Sequence, residues 1–141
     1  EIDVPMDFDS LMAAGTMAGS AGVVVMDDTT SMVDALQSAV KFFAHESCGQ
    51  CSPCREGTGW VNRIMHRLIE DGGRLQDLED MLTIARNMEA KTICVFADAA
   101  AWPVQSYITK FRAEFEEYIK SRRPAPGHAP ASQVIPLAVT R

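Results

Sequence analysis

From Met32 onward, the apolar positions Met32, Val33, Leu36, Ala39, Val40 and Phe43 recur at helical spacing, which lines them up on one face of an α-helix. Thr30 and Ser31 stand just ahead as candidate N-caps. A second stripe, Trp60, Ile64, Met65 and Leu68, predicts a helix from about Trp60 to Glu70 that Gly72–Gly73 stops. A third, Leu75, Leu78, Leu82, Ala85 and Met88, predicts a helix over Leu75–Met88. The last is expected to start at Trp102–Pro103, where proline's missing N–H is harmless, with Val104, Tyr107, Ile108, Phe111, Phe115, Tyr118 and Ile119 as its stripe. Four amphipathic helices joined by short turns pack most naturally as an antiparallel four-helix bundle, here over residues 29–121. The fold class is therefore mainly α.

The flanks follow a different pattern. Residues 1–22 are rich in glycine, aspartate and small side chains, so they read as loop with one short helix at Ser10–Ala14. Val23–Met26 is a β-branched run closed by Asp27–Asp28, which predicts a strand. Residues 122–141, which include PAPGHAPAS, are expected to form a flexible Pro/Ala-rich tail. The polar opening at Glu1, with no initiating methionine, suggests a piece of a longer chain.

Composition narrows the function. The 141 residues carry a net charge of −6, which offers no basic surface to nucleic-acid phosphates. No apolar run approaches the roughly 20 residues of a membrane helix, so direct membrane insertion is not expected. The eight methionines suit core filling better than copper or haem.

Four cysteines change the picture. Cys48, Cys51 and Cys54 crowd into seven residues as a C-x2-C-x2-C run, and Cys94 is the remaining one. Such spacing suits a metal better than disulfides. Two intervening residues let a wrapped backbone aim successive thiolates at adjacent iron corners of a cube. Gly49 eases the turn and Pro53 fixes the approach of Cys54. A [4Fe–4S] cube needs a fourth ligand from elsewhere, and Cys94 sits in a loop, residues 90–101, that an antiparallel bundle can bring back beside the first. Structural zinc is the main competitor. It usually takes paired C-x2-C knuckles, and here one pair is over-supplied and the other incomplete. The cysteine segment is also expected to run into a helix start near Arg55–Thr58, whose partial positive charge suits an anionic cluster.

The segments ESCGQCSPCREG (46–57), TICVFADAAAWPVQ (92–105) and GVVVMDD (22–28) resemble the C-terminal part of the NADH-binding flavoprotein subunit of respiratory complex I. The likeness covers about residues 1–120. It implies that Cys48, Cys51, Cys54 and Cys94 hold a [4Fe–4S] cluster that accepts single electrons from reduced FMN, after hydride transfer from NADH, and passes them towards quinone. It also implies that residues 1–28 are the end of a ubiquitin-like β-grasp domain preceding the bundle. Implied partners are a [2Fe–2S] thioredoxin-like subunit and a large iron–sulfur subunit. The implied location is the cytoplasmic side of a bacterial inner membrane or the matrix side of the mitochondrial one. The family's FMN and NADH site lies upstream of its cluster domain. Gly15–Gly22 precedes an expected strand and not a helix, so it lacks a phosphate-binding context. The 141 residues alone are therefore expected not to oxidise NADH. Similar subunits occur in NAD-linked formate dehydrogenases and hydrogenases. The bifurcating type adds cysteine motifs after the bundle, and none follow Cys94 here.

A few other residues carry two readings. Arg55 either places positive charge beside the cluster and raises its potential, or pairs with Glu56 in solvent. His45 is an alternative ligand, though four cysteines already satisfy a cube, and a surface role fits better. Asp98 and Ala97, Ala99, Ala100 and Ala101 either let their loop lie near a flavin or mark a helix entry capped by Asp98. Trp60 and Trp102, at expected helix starts, read as core residues before electron relays.

Overall fold

The computed structural model describes residues 3–122. These divide into two units, one ending at Thr30 and the other beginning at Ser31. In the first, α1 (Phe8–Ala13) is capped by Asp7, whose carboxylate accepts the Ser10 N–H at 2.8 Å and the Ser10 hydroxyl at 2.9 Å. The expected strand at Val23–Met26 is not formed, and no β-sheet is present among the described residues. A strand requires a neighbour for its N–H and C=O groups. Without one, Val23, Val24 and Val25 stand exposed.

In the second unit, α2 (Met32–Glu46) starts where Ser31 Oγ accepts the Asp34 N–H at 3.3 Å. Glu114, 82 residues further on, caps the same end by accepting the Met32 N–H at 2.8 Å. Helix α3 (Ser52–Asp71) begins well before Trp60. Pro53 lies in its first turn, where the ring is tolerated. Gly57, a residue type that disfavours helix interiors, sits inside the helix for a tertiary reason. A Cβ there would lie 2.4 Å from Met88 Sδ, so any larger residue would force the buried Met88 side chain between α3 and α4 to move. Gly72, at φ +82°, ends α3 in the left-handed conformation. Helix α4 (Leu75–Met88) has the expected bounds.

Helix α5 (Phe96–Lys110) starts earlier than expected and carries Pro103 in its interior. Ala97, Ala100 and Ala101 are buried, so the small-residue stretch is a close-packed helix face and not loop. The expected single last helix breaks at Phe111, and α6 (Arg112–Arg122) follows. Phe115 and Ile119 bury α6 in the core, and Arg112 ties it to α4 through Glu79 at 2.6 Å. The expected tail beyond Arg122 lies outside the described residues.

The core joins Val33, Leu36 and Val40 of α2, Val61, Met65 and Leu68 of α3, Leu78, Met81 and Ala85 of α4, and Val104 and Ile108 of α5. Trp60 and Trp102 are not core residues. They are 48% and 37% exposed, and the Trp102 indole N–H donates to Glu89 Oε1 at 2.8 Å. Leu75, expected in the α4 stripe, is also exposed. Among the described residues no helix is long and apolar enough to cross a membrane.

Candidate metal centre

The three-residue turn at 72–74 folds α4 back along α3, so the end of α4 returns to the start of α3. Packing of α5 on α2 and α4 then places four helix ends together. These are the C-termini of α2 and α4 and the N-termini of α3 and α5. Side chains fix the arrangement: the Phe43 ring of α2 meets the Phe96 ring of α5 edge-on, with centroids 5.5 Å apart. The turn bearing Cys48 and Cys51 and the loop bearing Cys94 therefore leave the same end of the bundle.

All four cysteines are free thiols. Cys51 is the N-cap residue of α3 and half-buried; its carbonyl accepts the Arg55 N–H at 2.9 Å. Cys54 lies in the first turn and is 7% exposed. Cys48 and Cys94 are exposed, and Cys94 is flanked by exposed Ile93 and Val95. Neither α3 nor α5 has a side-chain cap, and α3 has no acidic residue in its first turn. Their leading N–H groups and partial positive charges thus face the end where the thiols gather.

The first turn is held by Arg55. Its guanidinium donates to the Gly49 carbonyl at 2.8 Å, to Glu56 Oε1 at 2.9 Å and to Ser52 Oγ at 3.4 Å. Gly49, at φ +77°, supplies the left-handed residue this closure needs. Arg55 is paired with Glu56, and the same side chain lies against the cysteine turn. Inside the turn, Ser47 Oγ lies 3.3 Å from Cys54 Sγ, and the Thr58 hydroxyl donates to the Cys54 carbonyl at 2.8 Å.

The second loop has its own ties. Asp98 Oδ1 accepts the Ala90 N–H at 2.7 Å, holding Ala90 at φ +55°. Asp98 thus anchors the loop instead of capping α5. The Thr92 hydroxyl donates to the Cys94 carbonyl at 2.8 Å. Glu89 accepts from Trp102 and from Gln105, and these hydrogen bonds hold its carboxyl below the ordinary range.

His45 is largely exposed and lies 3.9 Å from Glu46. Among the described residues no three His, Cys, Asp or Glu side chains already converge as a metal-holding group. The turns therefore present the sulfurs at one end without drawing them onto a common point. The donor chemistry fits an iron–sulfur cluster: four thiols, none spent in a disulfide, beside two uncapped helix N-termini. The cysteines were readable from spacing. Ser47, Glu89 and Ala90 carried no sequence signal, because their roles depend on how neighbouring segments fold together, and Thr58 only bonds back within its own helix.

Comparison with known proteins agrees with this chemistry. Residues 34–118 match the family model described as the NADH-ubiquinone oxidoreductase-F iron-sulfur binding region. The F subunit of the NADH-quinone oxidoreductase of Rickettsia felis (strain ATCC VR-1525 / URRWXCal2) is 48% identical over 118 residues, covering 84% of this chain and 28% of that protein. Its counterpart in Rickettsia akari (strain Hartford) is 47% identical over 119 residues, with the same coverage. The chain thus spans about 28% of the length of these curated relatives. Among solved structures, an NAD+-reducing [NiFe]-hydrogenase in the H2-reduced state is similar at a TM-score of 0.63 and 32% identity, over 67% of this chain and 16% of that one. Both Cys48–Cys54 and Cys94 fall inside the matched segment, and the chain belongs to the NADH-ubiquinone oxidoreductase-F iron–sulfur binding family.

Proposed function

We propose that Cys48, Cys51, Cys54 and Cys94 hold a [4Fe–4S] cluster, and that the module relays single electrons within an NADH-quinone oxidoreductase. The observation that carries this reading is the shared bundle end, where Phe43 and Phe96 bring the two cysteine-bearing segments together. When bound, such a cluster supplies a one-electron couple, whereas hydride from NADH delivers two electrons to FMN at once.

The chain's own residues set the conditions for that couple. Cys54 takes its place inside the protein, while Cys48 and Cys94 are exposed. Arg55 fixes the turn through the Gly49 carbonyl. Its positive charge, shared with Glu56, favours added electron density nearby and so raises the potential. The FMN and NADH sites belong to other segments of the assembled enzyme. The partners are a [2Fe–2S] thioredoxin-like subunit and a large iron–sulfur subunit, in an arm on the cytoplasmic or matrix side of the membrane. Residues 1–28 close a β-grasp sheet supplied by other segments, a reading supported by the exposed run Val23–Val25.

One observation favours a second reading, the equivalent diaphorase subunit of a hydrogenase or formate dehydrogenase. The fold is shared with an NAD+-reducing hydrogenase. Sequence identity weighs towards the quinone-linked enzyme, at 48% against 32%.

Coulometric reduction of the anaerobically loaded chain, followed by electron paramagnetic resonance, tests the relay. Uptake of one electron per chain with a matching spin count is expected. Two-electron uptake, or none, would contradict the proposal.

A further inference from the structure

Cys54 is the most buried of the four thiols, and its sulfur has a polar neighbour of its own. The Ser47 hydroxyl lies 3.3 Å from Cys54 Sγ, and either atom can be the donor while the sulfur carries a proton. Ser47 is fixed in place because it is the C-cap residue of α2, with its N–H bonded to the Phe43 carbonyl at 3.2 Å. The Gly49 N–H donates to Ser47 Oγ at 3.4 Å. One lone pair of the hydroxyl is thereby used as acceptor, and the O–H is left to give. Thr58, the other hydroxyl near Cys54, is committed to the backbone carbonyl and does not compete for the sulfur.

A metal-bound thiolate has no proton, so in the loaded protein the direction is forced: Ser47 donates and Cys54 accepts. We propose that Ser47 is a positioning and tuning residue, holding Cys54 Sγ by an O–H···S bond and raising the potential of the one-electron couple. The inference rests on the ligand set proposed above. Adding one electron makes the sulfur a stronger acceptor without moving a proton, which stays on Ser47. The hydrogen bond therefore strengthens on reduction and stabilises the reduced form more than the oxidised one. Arg55 acts differently, since its guanidinium bonds the Gly49 carbonyl, Glu56 and Ser52.

Redox titration of the iron-loaded chain against dithionite, read by electron paramagnetic resonance, tests this. In Ser47→Ala, iron and sulfide should stay at the level of the unaltered chain. The reduced-to-oxidised ratio at fixed ambient potential should fall by up to about tenfold, equivalent to about 59 mV for a one-electron couple. Ser47→Thr keeps the hydroxyl and should restore the ratio. An unchanged or higher potential in a fully loaded Ser47→Ala overturns the proposal. A second measurement covers failure of the variant to load. Electron–nuclear double resonance of the reduced, unaltered chain should reveal an exchangeable proton coupling that is lost in D2O, and its absence overturns the proposal as well. Lack of iron and sulfide in the unaltered chain would instead strike the ligand set.

Discussion

Replacing Arg67 and Arg74 together with alanine is expected to destabilise the bundle by about 3–5 kcal/mol, because a buried carboxylate is then left without its cations. Asp77 is fully buried at the start of α4. Its Oδ1 accepts from Arg67 at 2.7 Å and from Arg74 at 2.8 and 3.1 Å. Its Oδ2 accepts from Arg67 at 3.3 Å and from the Arg74 N–H at 2.8 Å, the latter serving as a helix cap. The reverse change, Asp77→Ala, should cost less. The Arg67 and Arg74 side chains are 42% and 64% exposed, so they turn to water, and the loss is chiefly that of a cap, about 0.5–2 kcal/mol.

The pH dependence should change sign between these proteins. Burial by itself raises the Asp77 carboxyl, but hydrogen bonds from Arg67 and Arg74 outweigh it and hold the group below the usual carboxylate range. Its contribution in the unaltered chain is therefore present above the unfolded pKa, about 3.9, and is lost as pH falls through the folded value. In the double variant, burial dominates and the folded pKa lies above the unfolded one. The carboxyl then penalises folding at neutral pH, and the penalty fades as pH falls towards about 4. Urea midpoints at pH 7 and 4.5, measured in one metal state, read this out. The gap between the unaltered chain and the double variant should narrow at the lower pH. A gap that is constant or widens would contradict the account.

Cys94→Ala is expected to remove the cluster or leave a three-iron form, while the bundle stays helical. Cys94 is exposed, so its thiol contributes little to stability in its own right. With no other cysteine beyond the 48–54 turn, no remaining thiol is available for the fourth corner. Iron per chain should drop from about four to three or fewer, with far-ultraviolet circular dichroism nearly unchanged. Four retained irons and an unaltered resonance signal would mean that another side chain, His45 first, supplies that corner.

The bundle was legible wherever one helix's own pattern decided its fate. Helix α2 has a clear stripe and Ser31 as cap, and α4 sits between Gly72–Gly73 and a chain reversal. Legibility failed where a distant partner decided. Gly57 reads as a breaker until Met88 is seen occupying the space of its Cβ. Ala97, Ala100 and Ala101 show no amphipathic contrast, yet they are the face on which α5 packs closely. Val23–Met26 has strand composition but no ladder partner among the described residues. Trp60 and Trp102 sit inside their helices rather than at the starts, where they face outward. At the site, spacing and chemistry pointed to the cysteines. The hydrogen bonds that Ser47, Arg55 and Asp98 make in shaping the turns depend on how the chain folds around the helix ends.

Elemental analysis of anaerobically purified protein tests the central claim most directly. About four irons and four acid-labile sulfides per chain are expected, as cubane stoichiometry requires, with zinc well below one per chain. Stoichiometric zinc with no acid-labile sulfide would contradict the account and make the four thiols a structural zinc site.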